Sequence, residues 1–125
     1  MQQPPTILFA DGDADQRELL GNLLGLEGFR VVTAGTPQAV REALCRDVDV
    51  LVLDLHGALD EPLERLLDPL GPDRPPLLLA SGDPDIHAHA RRMRADGVLA
   101  KPFGLEDLLS SVRAGVRARG GGKTV

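Results

Sequence analysis

The chain has 125 residues, 42% of them hydrophobic, with a formal net charge of −5 at pH 7. That is one domain's length with enough apolar content for a core, and the acidic balance speaks against a nucleic-acid-binding surface. Phe9, Phe29 and Phe103 are the only aromatics, so a stacking platform for single strands is missing as well.

The first apolar run, TILFA, ends at Asp11. Short apolar runs bounded by turn residues and alternating with helical periodicity read as strands of a parallel sheet buried on both faces. Asp13-Ala14-Asp15-Gln16 follows with the form of a capping box, Asp13 at the N-cap and Gln16 three residues on. Leu19, Leu20, Leu23 and Leu24 give that helix an apolar face, and Gly28 ends it. Residues 30–34 (RVVTA) predict a second strand. Thr36-Pro37 then opens a second helix with a capping hydroxyl and proline at N1, its buried stripe being Ala39, Val40, Ala43 and Leu44. VDVLVL predicts a third strand reaching Leu53, with Asp54 at its end. A loop through Gly57 leads to a short helix bearing Leu63, Leu66 and Leu67 that stops near Pro69. Pro75-Pro76 opens a fourth strand, LLLA, with Ser81 after it, and Asp83-Pro84 caps a fourth helix that ends at Gly97. GVLA is a short fifth strand followed by Lys101. Gly104 starts a last helix with Leu105, Leu108, Leu109, Val112 and Val116 inside. The domain is expected over 1–119, and the GGGKTV segment at 120–125, without apolar periodicity, as a disordered tail.

Right-handed crossovers restrict five βα units to a few topologies. The expected class is α/β, a flavodoxin-like doubly wound parallel sheet in the order 2-1-3-4-5, with its switch point between the first and third strands. Ligands bind outside the carboxyl ends of such strands, so Asp11, Asp54, Ser81 and Lys101 are expected to share one crevice. Two carboxylates facing each other there suit a hard divalent cation such as Mg²⁺, and Lys101 supplies a fixed positive charge. A carboxylate held between a metal and an ammonium is a nucleophile toward phosphorus. Ser81 can hydrogen-bond a transferred phosphoryl group. The residues point to a phosphoryl-transfer or phosphoryl-sensing pocket.

ILFADGD, LVLDL, LLLAS and AKPF, spaced over nearly the whole chain, resemble the receiver domain of bacterial two-component response regulators. AKPF after a short strand is the most specific of these elements. The resemblance implies that Asp54 is the phosphoacceptor, that Asp11 helps hold Mg²⁺, and that the main-chain carbonyl of His56 is a further metal ligand. It also implies that Lys101 pairs with the phosphoryl group, that Ser81 stands at the Ser/Thr switch position, and that Lys101–Pro102 is cis. A histidine kinase or phosphotransfer protein would supply the phosphate. A downstream protein would read the face built from the fourth helix, fifth strand and fifth helix. Such a domain is a phosphoacceptor rather than a turnover enzyme.

Three features depart from the family pattern. Gly12 stands where the family carries a second acid that ligates the metal directly, so Mg²⁺ binding is expected to be weakened. Asp13 beside it is the alternative ligand, although helix capping accounts for it without a metal. Val98 replaces the aromatic switch residue, and His56-Gly57-Ala58 replaces a Met-Pro-Gly turn.

Other readings compete. A pseudo-receiver, binding proteins without phosphorylation, would show Gly12 and Val98 but would be free to lose Asp54, Lys101 and Ser81. Asp11-Gly12-Asp13 with Ser81 and Lys101 imitates haloacid-dehalogenase-like phosphatases, but that leaves Asp54 idle and lacks their later acidic pair and cap insertion. The start of an EF-hand at Asp11, Asp13 and Asp15 fails at Gln16 and Asn22. His87 and His89, two apart on a helix, splay onto different faces. Arg91, Arg92 and Arg94, like Arg113, Arg117 and Arg119, read as solvated cations near helix C-termini. A lone Cys45, with neither a leader nor a spanning stretch in evidence, predicts a cytoplasmic protein without membrane contact.

Overall fold

The computed structural model describes residues 3–54, 67 and 74–123, with the backbone alone at 120–123. Five strands, β1 (Thr6–Ala10), β2 (Arg30–Ala34), β3 (Val50–Asp54), β4 (Leu77–Ser81) and β5 (Gly97–Ala100), pair in parallel in the order β2-β1-β3-β4-β5. Four helices are present among the described residues: α1 (Ala14–Leu26), α2 (Pro37–Leu44), α3 (Ile86–Met93) and α4 (Leu105–Lys123). This is the flavodoxin-like order expected above.

Period-two alternation along the strands divides the core into two layers. Leu8, Leu51, Leu53, Leu77 and Leu79 face one side, against Val40 and Ala43 of α2 and Ile86, Ala90 and Met93 of α3. Ile7, Phe9, Val50, Val52, Leu78 and Ala80 face the other, against Leu24 of α1 and Leu108, Leu109 and Val112 of α4. Both faces of the central strands are therefore dry, which is why those strands read as unbroken apolar runs. Leu51→Ala is expected to cost about 2–5 kcal/mol by leaving a cavity in the first layer. Leu26→Ala, at an 81%-exposed position, should stay within about 0.5 kcal/mol. Urea midpoints at unchanged slope provide the measurement.

Helix starts follow the local chemistry. Asp13 Oδ1 accepts from the N–H groups of Asp15 (2.9 Å) and Gln16 (3.2 Å), and Thr36 Oγ1 accepts from that of Ala39 (3.1 Å). Gly28, at φ 97°, takes the left-handed turn that leads from α1 into β2.

Several expectations need correction. Leu19 on α1 is 58% exposed and Leu105 on α4 is 38% exposed, so the apolar face of α1 is not covered at Leu19 and Leu105 does not lie inside. The helix after β4 begins at Ile86, because Asp83 Oδ1 accepts the Asp85 N–H (2.8 Å) and holds 83–85 as a turn. It ends at Met93, well before Gly97. Arg94 takes the left-handed conformation (φ 55°, ψ 46°), and the Ala95 N–H closes back on the Ala90 carbonyl (2.9 Å). Asp96 is then free to accept the Leu77 N–H (2.7 Å), and Gly97 opens β5. The last helix runs to Lys123, past the boundary drawn at 119. Extending an existing helix needs no new nucleus, so glycines at about 1 kcal/mol each do not stop it at once. Of the predicted third helix only Leu67 is described: it is helical and buried. Leu63, Leu66, Gly57 and His56 lie outside the described residues. No helix among the described residues is long and apolar enough to cross a membrane.

Candidate functional site

The strand ends carry the site. Asp11 follows β1, its N–H bonded to the Ala34 carbonyl of β2 (3.0 Å). Asp54 and Ser81 close β3 and β4, and Lys101 follows β5 with its N–H on the Ser81 carbonyl (2.9 Å). Asp11 and Asp54 are fully buried, and Ser81 nearly so. The four residues converge on one end of the sheet, as a parallel order with its switch point between β1 and β3 requires. The Lys101–Pro102 peptide is cis, and Lys101 Nζ stands 2.7 Å from Asp54 Oδ2.

A residue that sequence reasoning missed sits among them. Gln16 Nε2 donates to the same Asp54 Oδ2 at 3.0 Å. The expected capping box is therefore only half built. Asp13 caps the helix forward, but its own N–H goes to Asp11 Oδ1 (2.9 Å) instead of the Gln16 side chain, which turns to Asp54. The signal that could have found it is position: the third residue of a helix entered straight from β1 looks over the strand ends. Arg17 also reaches in, Nη1 donating to the Asp11 carbonyl at 2.8 Å.

Burial, more than any other cause, pushes the Asp11 carboxyl up from its ordinary range. The neighbouring Asp54 charge adds to the rise, while the Asp13 N–H and the Lys101 charge oppose it. Asp11 Oδ2 and Asp54 Oδ1 are both buried without a hydrogen-bond partner. Two orphaned anionic oxygens with one ammonium between two carboxylates leave a net negative hole, and hard divalent cations take such oxygen ligands. The residues present fit Mg²⁺ held by Asp11 and Asp54. Among the described residues no third His, Cys, Asp or Glu joins them. Asp13 is exposed, with its Oδ1 engaged in capping α1.

Ser81 Oγ accepts the Asp83 N–H (2.9 Å), and Asp83 Oδ2 meets His89 Nε2 at 3.3 Å. Arg92 Nη2 lies 2.8 Å from His89 Nδ1. Arginine only donates, so Nδ1 accepts and Nε2 carries the hydrogen toward Asp83. The Asp85 N–H, then His89, hold the Asp83 carboxyl below its usual range. His89 therefore ties the β4–α3 turn to α3. Val98 packs against the layer that contains α3. Two of the arginines read as solvated are ion-paired instead: Arg113 with Glu27 (3.6 Å), and Arg119 with Asp47 (3.6 Å) and Asp49 (3.9 Å).

No protein-family model matches the sequence. The response regulator MprA of Mycobacterium leprae is 37% identical over 115 residues, 89% of this chain and 50% of that protein. The phosphate regulon transcriptional regulatory protein PhoB of Pseudomonas aeruginosa is 32% identical over 123 residues, 94% of this chain and 54% of the relative. The chain spans about half the length of the curated relatives it matches. The signal receiver domain of an HD domain-containing protein from Pseudomonas fluorescens superposes with a TM-score of 0.82 at 24% identity, over 98% of this chain and 94% of that one. Strand order, strand-end residues and relatives define one class, and the chain is a response-regulator receiver domain of the two-component type.

Proposed function

We propose that this receiver domain takes a phosphoryl group onto Asp54 from a cytoplasmic histidine kinase or phosphotransfer protein and passes the change on by protein contact. Asp54 is the observation that carries the reading. It is fully buried, with one oxygen held by Lys101 at 2.7 Å and the other left without a partner. An Asp54 oxygen attacks phosphorus while the donor's leaving group departs with its electron pair. Asp11, Asp54 and by resemblance the His56 carbonyl would hold Mg²⁺, which would supply positive charge against the carboxylates and the phosphoryl oxygens. Lys101 shifts its charge from Asp54 onto the phosphoryl group. Ser81 Oγ is already an acceptor for Asp83, which leaves its own proton for a phosphoryl oxygen. A cavity of about 650 Å³ bordered by Asp13, Gln16, Leu19, Leu20, Lys101 and Phe103 gives a donor's side chain an approach.

The readout belongs to the face of α3, β5 and α4. Val98 has neither a ring nor a hydroxyl, so the change travels through the Ser81–Asp83–His89 contacts and moves residues 81–86 and α3. Gly12 in place of an acid leaves Mg²⁺ weakly held. Gly12→Asp should tighten Mg²⁺ binding by about tenfold or more, because ligand charge sets affinity at such sites. Calorimetric titration of both proteins is the check, and equal affinities would mean that Asp13 or another group already fills the gap. The whole reading is tested by incubation with acetyl phosphate and Mg²⁺ followed by intact mass. No uptake at high Mg²⁺, with partner binding intact in Asp54→Asn, would make the domain a phosphorylation-independent binding module.

A further inference from the structure

We infer that Gln16 is a positioning residue that masks the attacking oxygen of Asp54 and slows its phosphorylation. This rests on Asp54 being the phosphoacceptor. The unpartnered Oδ1 suits the cation, so the attacking oxygen is Oδ2, and Oδ2 carries two donors, Lys101 Nζ at 2.7 Å and Gln16 Nε2 at 3.0 Å. A carboxylate oxygen has two in-plane lone pairs, and here both are engaged. A covalent O–P bond is far shorter than a hydrogen bond, so an incoming phosphoryl group must fill the region where these donors stand.

The two donors are not equivalent. Lys101 carries a full charge and has reason to follow the phosphoryl oxygens. Gln16 is neutral, and its backbone cannot back away. Its N–H is held by Asp13 Oδ1 (3.2 Å), and the Asp13 N–H is held by Asp11 Oδ1 (2.9 Å). The side chain must therefore rotate out, and the 650 Å³ cavity that Gln16 itself lines provides the space. In the step that follows, the Oδ2–P bond forms as the donor's P–O or P–N bond breaks. The electron pair leaves with the donor's leaving group, and the amide gains and loses nothing. Its whole effect is to stabilise the resting carboxylate and obstruct the approach.

The experiment compares rates of phosphate uptake, by intact mass, for the wild type, Gln16→Ala, Gln16→Glu and Asp54→Asn with acetyl phosphate across a range of Mg²⁺. Releasing one hydrogen bond to a charged group should make Gln16→Ala about tenfold faster than wild type. Gln16→Glu, which adds a like charge, should be slower. A structural role alone would not produce a gain in rate. An inert wild type beside an active Gln16→Ala would support the same inference. A folded Gln16→Ala, with an unchanged unfolding transition, that reacts no faster than wild type overturns the masking role and leaves the phosphoacceptor reading standing. If both proteins are inert throughout, Asp54 is not a phosphoacceptor and the inference falls with it.

Discussion

Asp54→Asn is expected to reduce phosphate uptake from one group per chain to none. The loss should exceed about 10³-fold in rate, because the substitution removes the anionic oxygen that bonds to phosphorus while keeping the side chain's size. The amide still accepts from Gln16 and Lys101 through its oxygen, so the fold should hold. Lys101 is 27% exposed and can turn its ammonium to water. Lys101→Ala should be milder at the acceptor step, since the lysine stabilises charge without bonding to phosphorus. Intact mass with acetyl phosphate and Mg²⁺ measures both. Uptake by Asp54→Asn at the wild-type rate would move the acceptor elsewhere, and Asp11 would be the next carboxylate to examine.

Asp11→Asn is expected to stabilise the metal-free protein by about 1–3 kcal/mol at neutral pH, even though it alters a fully buried residue. The sign follows from linkage. Burial and the Asp54 charge raise the folded-state pKa of Asp11 above its unfolded value, so the folded chain holds the proton more tightly than the unfolded one. Ionised Asp11 therefore weakens the fold above that raised pKa. The penalty fades as pH falls through it and is absent below the unfolded pKa. Asn keeps an oxygen for the Asp13 N–H and adds an N–H beside Asp54. Urea melts in the presence of a chelator should show the gap at neutral pH and its narrowing in acid. Added Mg²⁺ should stabilise the wild type and not the variant. A variant less stable than wild type at neutral pH would show that the charge is already compensated.

The sequence revealed the sheet more clearly than the pocket's interior. Strands buried on both faces write themselves as TILFA, VLVLD and LLLAS, and polar residues stand at the strand ends, so Asp11, Asp54, Ser81 and Lys101 could be placed before any contact was known. Helix bounds were less legible where termination depends on backbone conformation. Arg94 adopts a left-handed cap that usually belongs to glycine, so the eye passes on to Gly97. Gln16 was hidden by a motif with two outcomes. The same four residues can close a reciprocal capping box or leave the glutamine free, and the choice is made by Asp11, whose Oδ1 takes the amide that Gln16 would have accepted. Leu19 and Leu105 follow helical apolar spacing but stay exposed beside the other described elements, a property of the assembled layers that no local window contains.

Lys101 follows the last strand in the sequence, and this gives the chain order an electrostatic consequence. The central pairings β2-β1-β3 involve residues 6–54, and a sheet built only that far already sets two carboxylates side by side with no cation between them. The counter-charge arrives only when β5 docks on β4 through Ala100 and Ser81. A chain still emerging from the ribosome, or truncated before residue 101, thus carries a repulsive, incomplete crevice.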